Sequence, residues 1–156
     1  MHPPPLFVMD FVGPAIGALA FVVIMSLVSE PARRTINAMI VAGASAAYLS
    51  GGGFGMWEVV FPVIAMPMAY RGLHSYAFIG LAWLMHSGWD ILHHLWGNPI
   101  WPFMPTSSFG CMIFDALIAA WFLAGAPSLV SLVTRTMNSP AAALSGEGGR
   151  SAPHQP

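Results

Sequence analysis

Five apolar stretches occupy most of this chain, and they limit it to folds that keep long apolar helices away from water. They run over residues 6–28, 35–52, 54–70 and 74–96, and from 108 to between 126 and 133. An α-helix needs about 20 apolar residues to cross the roughly 30 Å of hydrocarbon in a bilayer. The first, fourth and fifth stretches reach that length, and the glycines at 51, 52, 53 and 55 separate the two shorter ones as a hairpin. The sequence therefore predicts an all-α membrane protein with about five transmembrane helices in a small bundle.

Charged residues are too few to coat a soluble protein of this size. They make up 7% of the 156 residues, whereas apolar residues make up 56%. Soluble domains carry about a quarter charged residues. The net charge of −1 offers no basic surface to a nucleic acid. The single cysteine, Cys111, excludes an internal disulfide and a cysteine-based zinc site. We therefore exclude a soluble enzyme, a nucleic-acid binder and a disordered protein, and expect the lipid bilayer as the chain's main partner.

The arginines orient the predicted spans, because the chain has no lysine. Arg33 and Arg34 lie in the first predicted loop, Arg71 lies in the third, and Arg135 and Arg150 follow the last span. With five spans, these three segments share one side of the membrane, which the positive-inside rule assigns to the cytoplasm. We therefore expect the N-terminus outside and the C-terminus inside.

The chain is predicted to divide near residue 138. Residues 1–137 contain the five-span transmembrane domain. Residues 138–156 are rich in serine, proline, alanine and glycine and show no helical periodicity. We expect them to form a disordered cytoplasmic tail.

Small residues at helical spacing indicate where predicted helices approach each other, since small side chains let backbones come close in lipid. Ala116, Ala120 and Ala124 have this spacing on the fifth stretch. We expect this face to pack inside the bundle.

The fourth stretch carries four ionisable residues on one side of the predicted helix. These residues are His86, Asp90, His93 and His94. At 100° per residue they fall within about a third of the helix circumference. In the five-span topology three further carboxylates reach the same outer half of the membrane, those of Asp10, Glu58 and Asp115. Ionisable groups are costly in lipid and rarely persist there without partners or purpose. The sequence therefore predicts an outward-facing cluster of histidines and carboxylates.

Imidazoles and carboxylates at i, i+3 and i+4 spacing are typical ligands of metal sites inside helical bundles. The predicted metal ligands are His86, Asp90, His93, His94, Glu58 and Asp115, and the predicted cofactor is a transition-metal ion. The same groups could instead pass protons along the cluster, or bind a small polar solute. All three uses stay open from the sequence alone.

Three classes of function fit this pattern. The first is a binding or transport protein for a metal ion, proton or solute, working as a homo-oligomer because five helices make only a small bundle. The second is a membrane-embedded metal-dependent enzyme with three histidine ligands, and with Asp90 or Glu58 as general base. The third is a structural or interaction subunit whose polar groups bond its helices together. No catalytic residue is assigned.

One segment resembles a known family. It consists of His86-x-x-x-Asp90-x-x-His93-His94, Trp101-Pro102, and Ser107-Ser108-x-Gly110-Cys111 with Asp115. In these motifs the chain is similar to a family of small bacterial multi-pass integral membrane proteins known only as a domain of unknown function. The resemblance covers residues 14–126. It implies a membrane location and brings no activity with it. For a bacterial protein of this predicted topology, we expect that location to be the inner membrane.

Overall fold

A computed structural model of the chain describes residues 3–131. Among them the backbone is helical and contains no strand, which confirms the predicted all-α fold for this range. The α-helices are α1 (Val8–Leu27), α2 (Ala32–Ala44), α3 (Trp57–Gly72), α4 (Tyr76–Trp96) and α5 (Ser107–Leu123), and a 3₁₀-helix (Ala47–Ser50) follows α2. Each α-helix falls on one predicted apolar stretch. The predicted tail at 138–156 lies outside the described residues, as does the C-terminal end of the predicted transmembrane domain.

The second helix is shorter than its apolar stretch. It ends at Ala44, eight residues before the predicted end at residue 52, and the chain then forms the 3₁₀ turn. Gly51 and Gly53 follow with φ values of +138° and +99°. Glycine adopts such angles readily because it has no Cβ atom. This break turns the side chain of Tyr48 into the bundle, where it is buried.

Helix α4 lies at the centre of the bundle. Helix α5 packs along one side of it, α2 and α3 pack along the other, and α1 covers the outside of α5. A Cβ atom on Gly80 of α4 would lie 3.0 Å from the backbone oxygen of Ala119 on α5. The absence of that atom allows the two central backbones their close approach.

The predicted packing face of α5 is wrong. Ala116, Ala120 and Ala124 are all exposed. The buried face instead contains Asp115, Ile118, Ala119 and Phe122, at i, i+3, i+4 and i+7. Asp115 is hydrogen-bonded to a histidine of α4, and this contact turns the alanine face outward.

One end of the bundle is held together around Arg33. Its Nε atom donates to Glu30 Oε1 at 3.1 Å and to the Tyr76 hydroxyl at 2.8 Å, and that hydroxyl also hydrogen-bonds Glu30. Partial burial raises the pKa of Glu30, but the hydrogen bonds from Tyr76 and Arg33 outweigh it and lower that pKa. The α1–α2 loop is thereby fastened to the start of α4.

The described surface is rich in exposed apolar side chains. Helix α1 is the one described helix whose length and composition suffice to cross a membrane, and α5 is a shorter apolar helix. Only Ala18 and Ser26 of α1 are buried. Large apolar side chains are exposed on the other helices too, among them Met39, Val63, Leu84 and Leu123.

Candidate functional site

His86 of α4 is held between two neighbouring helices. Its Nε2 atom lies 2.7 Å from the carbonyl oxygen of Ala44, the last residue of α2, where carbonyls have no partner within the helix. Because a carbonyl only accepts hydrogen bonds, Nε2 carries a proton. The other nitrogen, Nδ1, lies 2.6 Å from Asp115 Oδ2 and 3.3 Å from Asp90 Oδ2. Nδ1 is therefore the atom that can share a proton or bind a cation.

Asp90 is fully buried, with an exposed fraction of 0%. Its Oδ1 atom accepts a hydrogen bond of 2.7 Å from the Tyr48 hydroxyl. Its Oδ2 atom accepts no well-aligned hydrogen bond among residues 3–131, but it has an ion-pair contact of 3.3 Å with His86 Nδ1. A buried carboxylate oxygen held by this contact is a place where a proton or cation would be stabilised.

The donor atoms of His86, Asp90 and Asp115 lie within 4.8 Å of one another, and all three residues are buried. We call these three residues the His86 cluster. The Ala44 carbonyl orients the imidazole and the Tyr48 hydroxyl orients one carboxylate. Metal sites use such outer hydrogen bonds to select the histidine tautomer and fix the ligands in place. The residues present therefore fit a metal ion with one nitrogen and two oxygen ligands.

His93 and Glu58 form a separate arrangement, which we call the His93 pair. His93 Nε2 lies 3.0 and 3.2 Å from the two carboxylate oxygens of Glu58. The other ring nitrogen, Nδ1, donates to the Trp89 carbonyl oxygen at 2.9 Å. Both nitrogens of His93 are thus engaged within the protein, and neither faces the His86 cluster.

Tyr48 connects the two arrangements. Its ring stacks on the ring of His93 with centroids 3.5 Å apart, while its hydroxyl binds Asp90. The same hydroxyl lies 2.9 Å from Ser108 Oγ on α5. Since the tyrosine proton is donated to Asp90, Ser108 donates to Tyr48. One side chain therefore reaches the His93 pair, the His86 cluster and α5.

His94 lies apart from both arrangements. Its ring packs against Phe109 at 5.1 Å between centroids, on the side of α4 that faces α5 and α1. Asp10 is also separate, because its carboxylate accepts hydrogen bonds from Thr106 and from the Phe7 amide at the start of α1. Of the six predicted ligands, three form the His86 cluster and two form the His93 pair. The sixth, His94, belongs to neither.

The family model of DUF6010, a family of unknown function, matches residues 9–128. The chain belongs to this family. No curated protein and no solved structure matches it. The matched range contains the whole site, from Ala44 to Asp115, and it confirms the resemblance drawn from the His86–Asp115 motifs.

Three groups of this DUF6010 site were missed by reasoning on the sequence. They are the Tyr48 side chain, the Ser108 hydroxyl and the Ala44 carbonyl. Tyr48 lies in a stretch of small residues before the glycine break, and no periodicity connects it with α4. Ser108 is part of the motif that carries the family resemblance, but the sequence did not predict a role for its hydroxyl. The Ala44 carbonyl could not be predicted from a pattern of side chains, because it belongs to the backbone. It contacts His86 only because α2 ends beside that residue.

Proposed function

We propose that the chain is a multi-pass integral membrane protein that binds a divalent transition-metal ion at the His86 cluster. The observation that carries this proposal is the group of buried donor atoms on His86, Asp90 and Asp115, which lie within 4.8 Å of one another. The membrane location and the metal site are supported by different observations and are tested separately.

The membrane part is supported by the distribution of polar and apolar side chains. Large apolar side chains of the helices lie on the surface, whereas His86, Asp90, His93 and Asp115 are buried. A soluble protein of this size rarely exposes so much apolar surface. Helix α1 has the length and composition to cross the bilayer core, and α4, with 21 residues and about 32 Å, matches it in length. We place the N-terminus outside and the arginines in the cytoplasm of a bacterium, with all five helices in the inner membrane.

Topology can be tested by labelling single cysteines in a Cys111→Ala background. We expect a Phe103→Cys variant to react with a membrane-impermeant thiol reagent in intact cells, because Phe103 is 82% exposed in the α4–α5 loop. A Ser29→Cys variant, in the α1–α2 loop, should react only after the membrane is opened. The reverse pattern would contradict the orientation, and release of the protein by alkaline carbonate would contradict the integral membrane location.

The metal part is supported by charge balance. Two ionised aspartates neutralise one divalent cation, and the imidazole is neutral when the cation occupies Nδ1, because its remaining proton is then the Nε2 proton donated to the Ala44 carbonyl. Without a cation, the cluster must hold protons to avoid a buried net charge. Nitrogen and carboxylate ligands together suit Zn²⁺, Mn²⁺ or Fe²⁺.

Metal analysis of the detergent-purified full chain tests this part. We expect about one equivalent of divalent metal per chain after loading with Zn²⁺ or Mn²⁺. Tyr48→Phe should weaken binding about 10- to 100-fold, because it removes the hydrogen bond that orients Asp90 but keeps the ring on His93. His94→Ala is the matched control and should keep the wild-type affinity. A wild-type chain that binds neither metal would overturn the metal site.

A second candidate function is proton exchange at the same cluster. The 2.6 Å separation between His86 Nδ1 and Asp115 Oδ2 is a hydrogen-bond distance and favours a shared proton. The hydroxyls of Ser108 and Tyr48 form a second hydrogen-bonded chain that ends at Asp90 Oδ1, and Asp90 Oδ2 lies 3.3 Å from His86 Nδ1. A metal-free protein whose proton flux depends on Asp115 would favour this function over metal binding.

A further inference from the structure

We infer that the cation reaches the His86 cluster through the polar cavity between the 3₁₀-helix and the α4–α5 loop, where the Tyr48 and Ser108 hydroxyls form the gate. This inference rests on the proposed metal site and assigns it an access route. His86, Asp90 and Asp115 are all buried, so a metal ion needs a route from solvent to reach them.

The cavity has a volume of about 300 Å³. Its lining includes Tyr48, Ser50, Gly51, Gly52, Asn98 and Ile100. At about 30 Å³ for each water, this volume holds about ten waters, which is enough for a hydrated divalent ion. Hydroxyl, amide and backbone groups can replace part of that hydration as the ion moves inward.

The Tyr48 and Ser108 hydroxyls connect the cavity with the cluster. Tyr48 lines the cavity, and its hydroxyl is the group that binds Asp90 at 2.7 Å. Ile100 also lines the cavity, and its backbone amide donates to Ser108 Oγ at 3.3 Å. Opening of the Tyr48–Ser108 hydrogen bond is therefore the step by which we expect a cation to pass from the cavity to Asp90.

A second cavity is a poorer route. It is a groove of about 460 Å³ between α1 and α5, lined mainly by apolar side chains such as Met9, Pro14 and Phe114. Its lining also includes Asp10, but the Asp10 carboxylate already accepts hydrogen bonds from Thr106 and from the Phe7 amide. A hydrated cation that entered there would therefore gain few ligands for the water that it loses, which is unfavourable.

Asn98 joins the two sides of the polar cavity. Its backbone amide donates to the Gly52 carbonyl at 2.7 Å, and its side-chain amide donates to the Gly51 carbonyl at 2.8 Å. These two bonds join the glycine break to the α4–α5 loop and hold the two segments together around the cavity.

Blocking the cavity chemically tests the route. In a Cys111→Ala background, Ser50→Cys places a thiol at an exposed position of the cavity lining. After reaction with a bulky maleimide, we expect uptake and release of Zn²⁺ to slow by about 10-fold or more, with the same equilibrium affinity, because a blocked route changes both rates equally. The matched control is Met104→Cys, which places the same adduct in the apolar groove.

The labelling results distinguish a wrong access route from a wrong metal site. Unchanged rates after modification of Ser50→Cys, or slowing only in Met104→Cys, would overturn the route and leave the metal site standing. A change in affinity without a change in the uptake rate would also overturn the route, because the adduct would then act on the ligands. A parent protein with no Zn²⁺ binding before modification would overturn the proposed site and the route together.

Discussion

Replacing Asp90 by alanine is expected to abolish metal binding, with a dissociation constant raised more than about 100-fold. The change removes the carboxylate whose Oδ2 atom faces His86 Nδ1, and it also removes the acceptor of the Tyr48 hydroxyl. The breaking of such a buried polar arrangement costs about 3–5 kcal/mol, so the alanine variant should also unfold more easily. Zn²⁺ titration and thermal unfolding in detergent measure the two effects.

Asp90→Asn separates the loss of charge from the loss of folding. Its side-chain oxygen can still accept the Tyr48 hydroxyl, so this variant should unfold more nearly like the wild type and yet lose the metal. Ser87→Ala is a control on the same helix, since Ser87 donates to the Met112 carbonyl and does not touch the cluster. Wild-type metal affinity in Asp90→Asn would contradict a metal site at Asp90.

Replacing Gly52 by alanine is expected to lower the free energy of unfolding by about 3 kcal/mol or more. A Cβ atom at residue 52 would lie 2.3 Å from Glu58 Oε1 and 2.6 Å from His93 Nε2. Neither group can withdraw easily, because Glu58 Oε1 also accepts the Phe54 amide and His93 is stacked on Tyr48. The methyl group must therefore separate the His93 pair or displace the backbone.

Gly88→Ala is the matched control for this change. Gly88 is in α4, and a Cβ atom there would meet nothing within 4 Å. Alanine in a helix is favoured over glycine by about 0.5–1 kcal/mol, so this variant should be slightly more stable than the wild type. Thermal unfolding of both variants in the same detergent checks the comparison. A Gly52→Ala variant as stable as the wild type would contradict the close contact with the His93 pair.

The site could be predicted in part because His86 and Asp90 are one turn apart on the same helix. Their spacing places both on the buried side of α4 whatever surrounds them. His93 shares that side, but it is almost two turns from His86 and meets Glu58 of α3 instead. His94 is rotated by about 80° from His86 and faces α5, so its adjacency to His93 in sequence was misleading.

The sequence predicted Asp115 and Glu58 beside the histidines of α4, but it could not predict which histidine each would meet, because that depends on the rotation and depth of the neighbouring helices. Asp115 reaches His86 only because α5 turns its aspartate inward and its alanines outward. Tyr48 reaches Asp90 only because α2 ends at Ala44 and the chain then turns through the 3₁₀-helix. Both contacts join segments far apart in sequence.

The sequence by itself determined the helical class, the positions of the five helices and the polar side of α4. These properties follow from apolar length and from a periodicity of 3.6 residues, which act locally along one segment. Only the tertiary structure decided that His86 meets Asp90 and Asp115 whereas His93 meets Glu58, and that Tyr48 and the Ala44 carbonyl complete the site. Contacts between helices depend on how whole helices pack against one another, and no single segment contains that information.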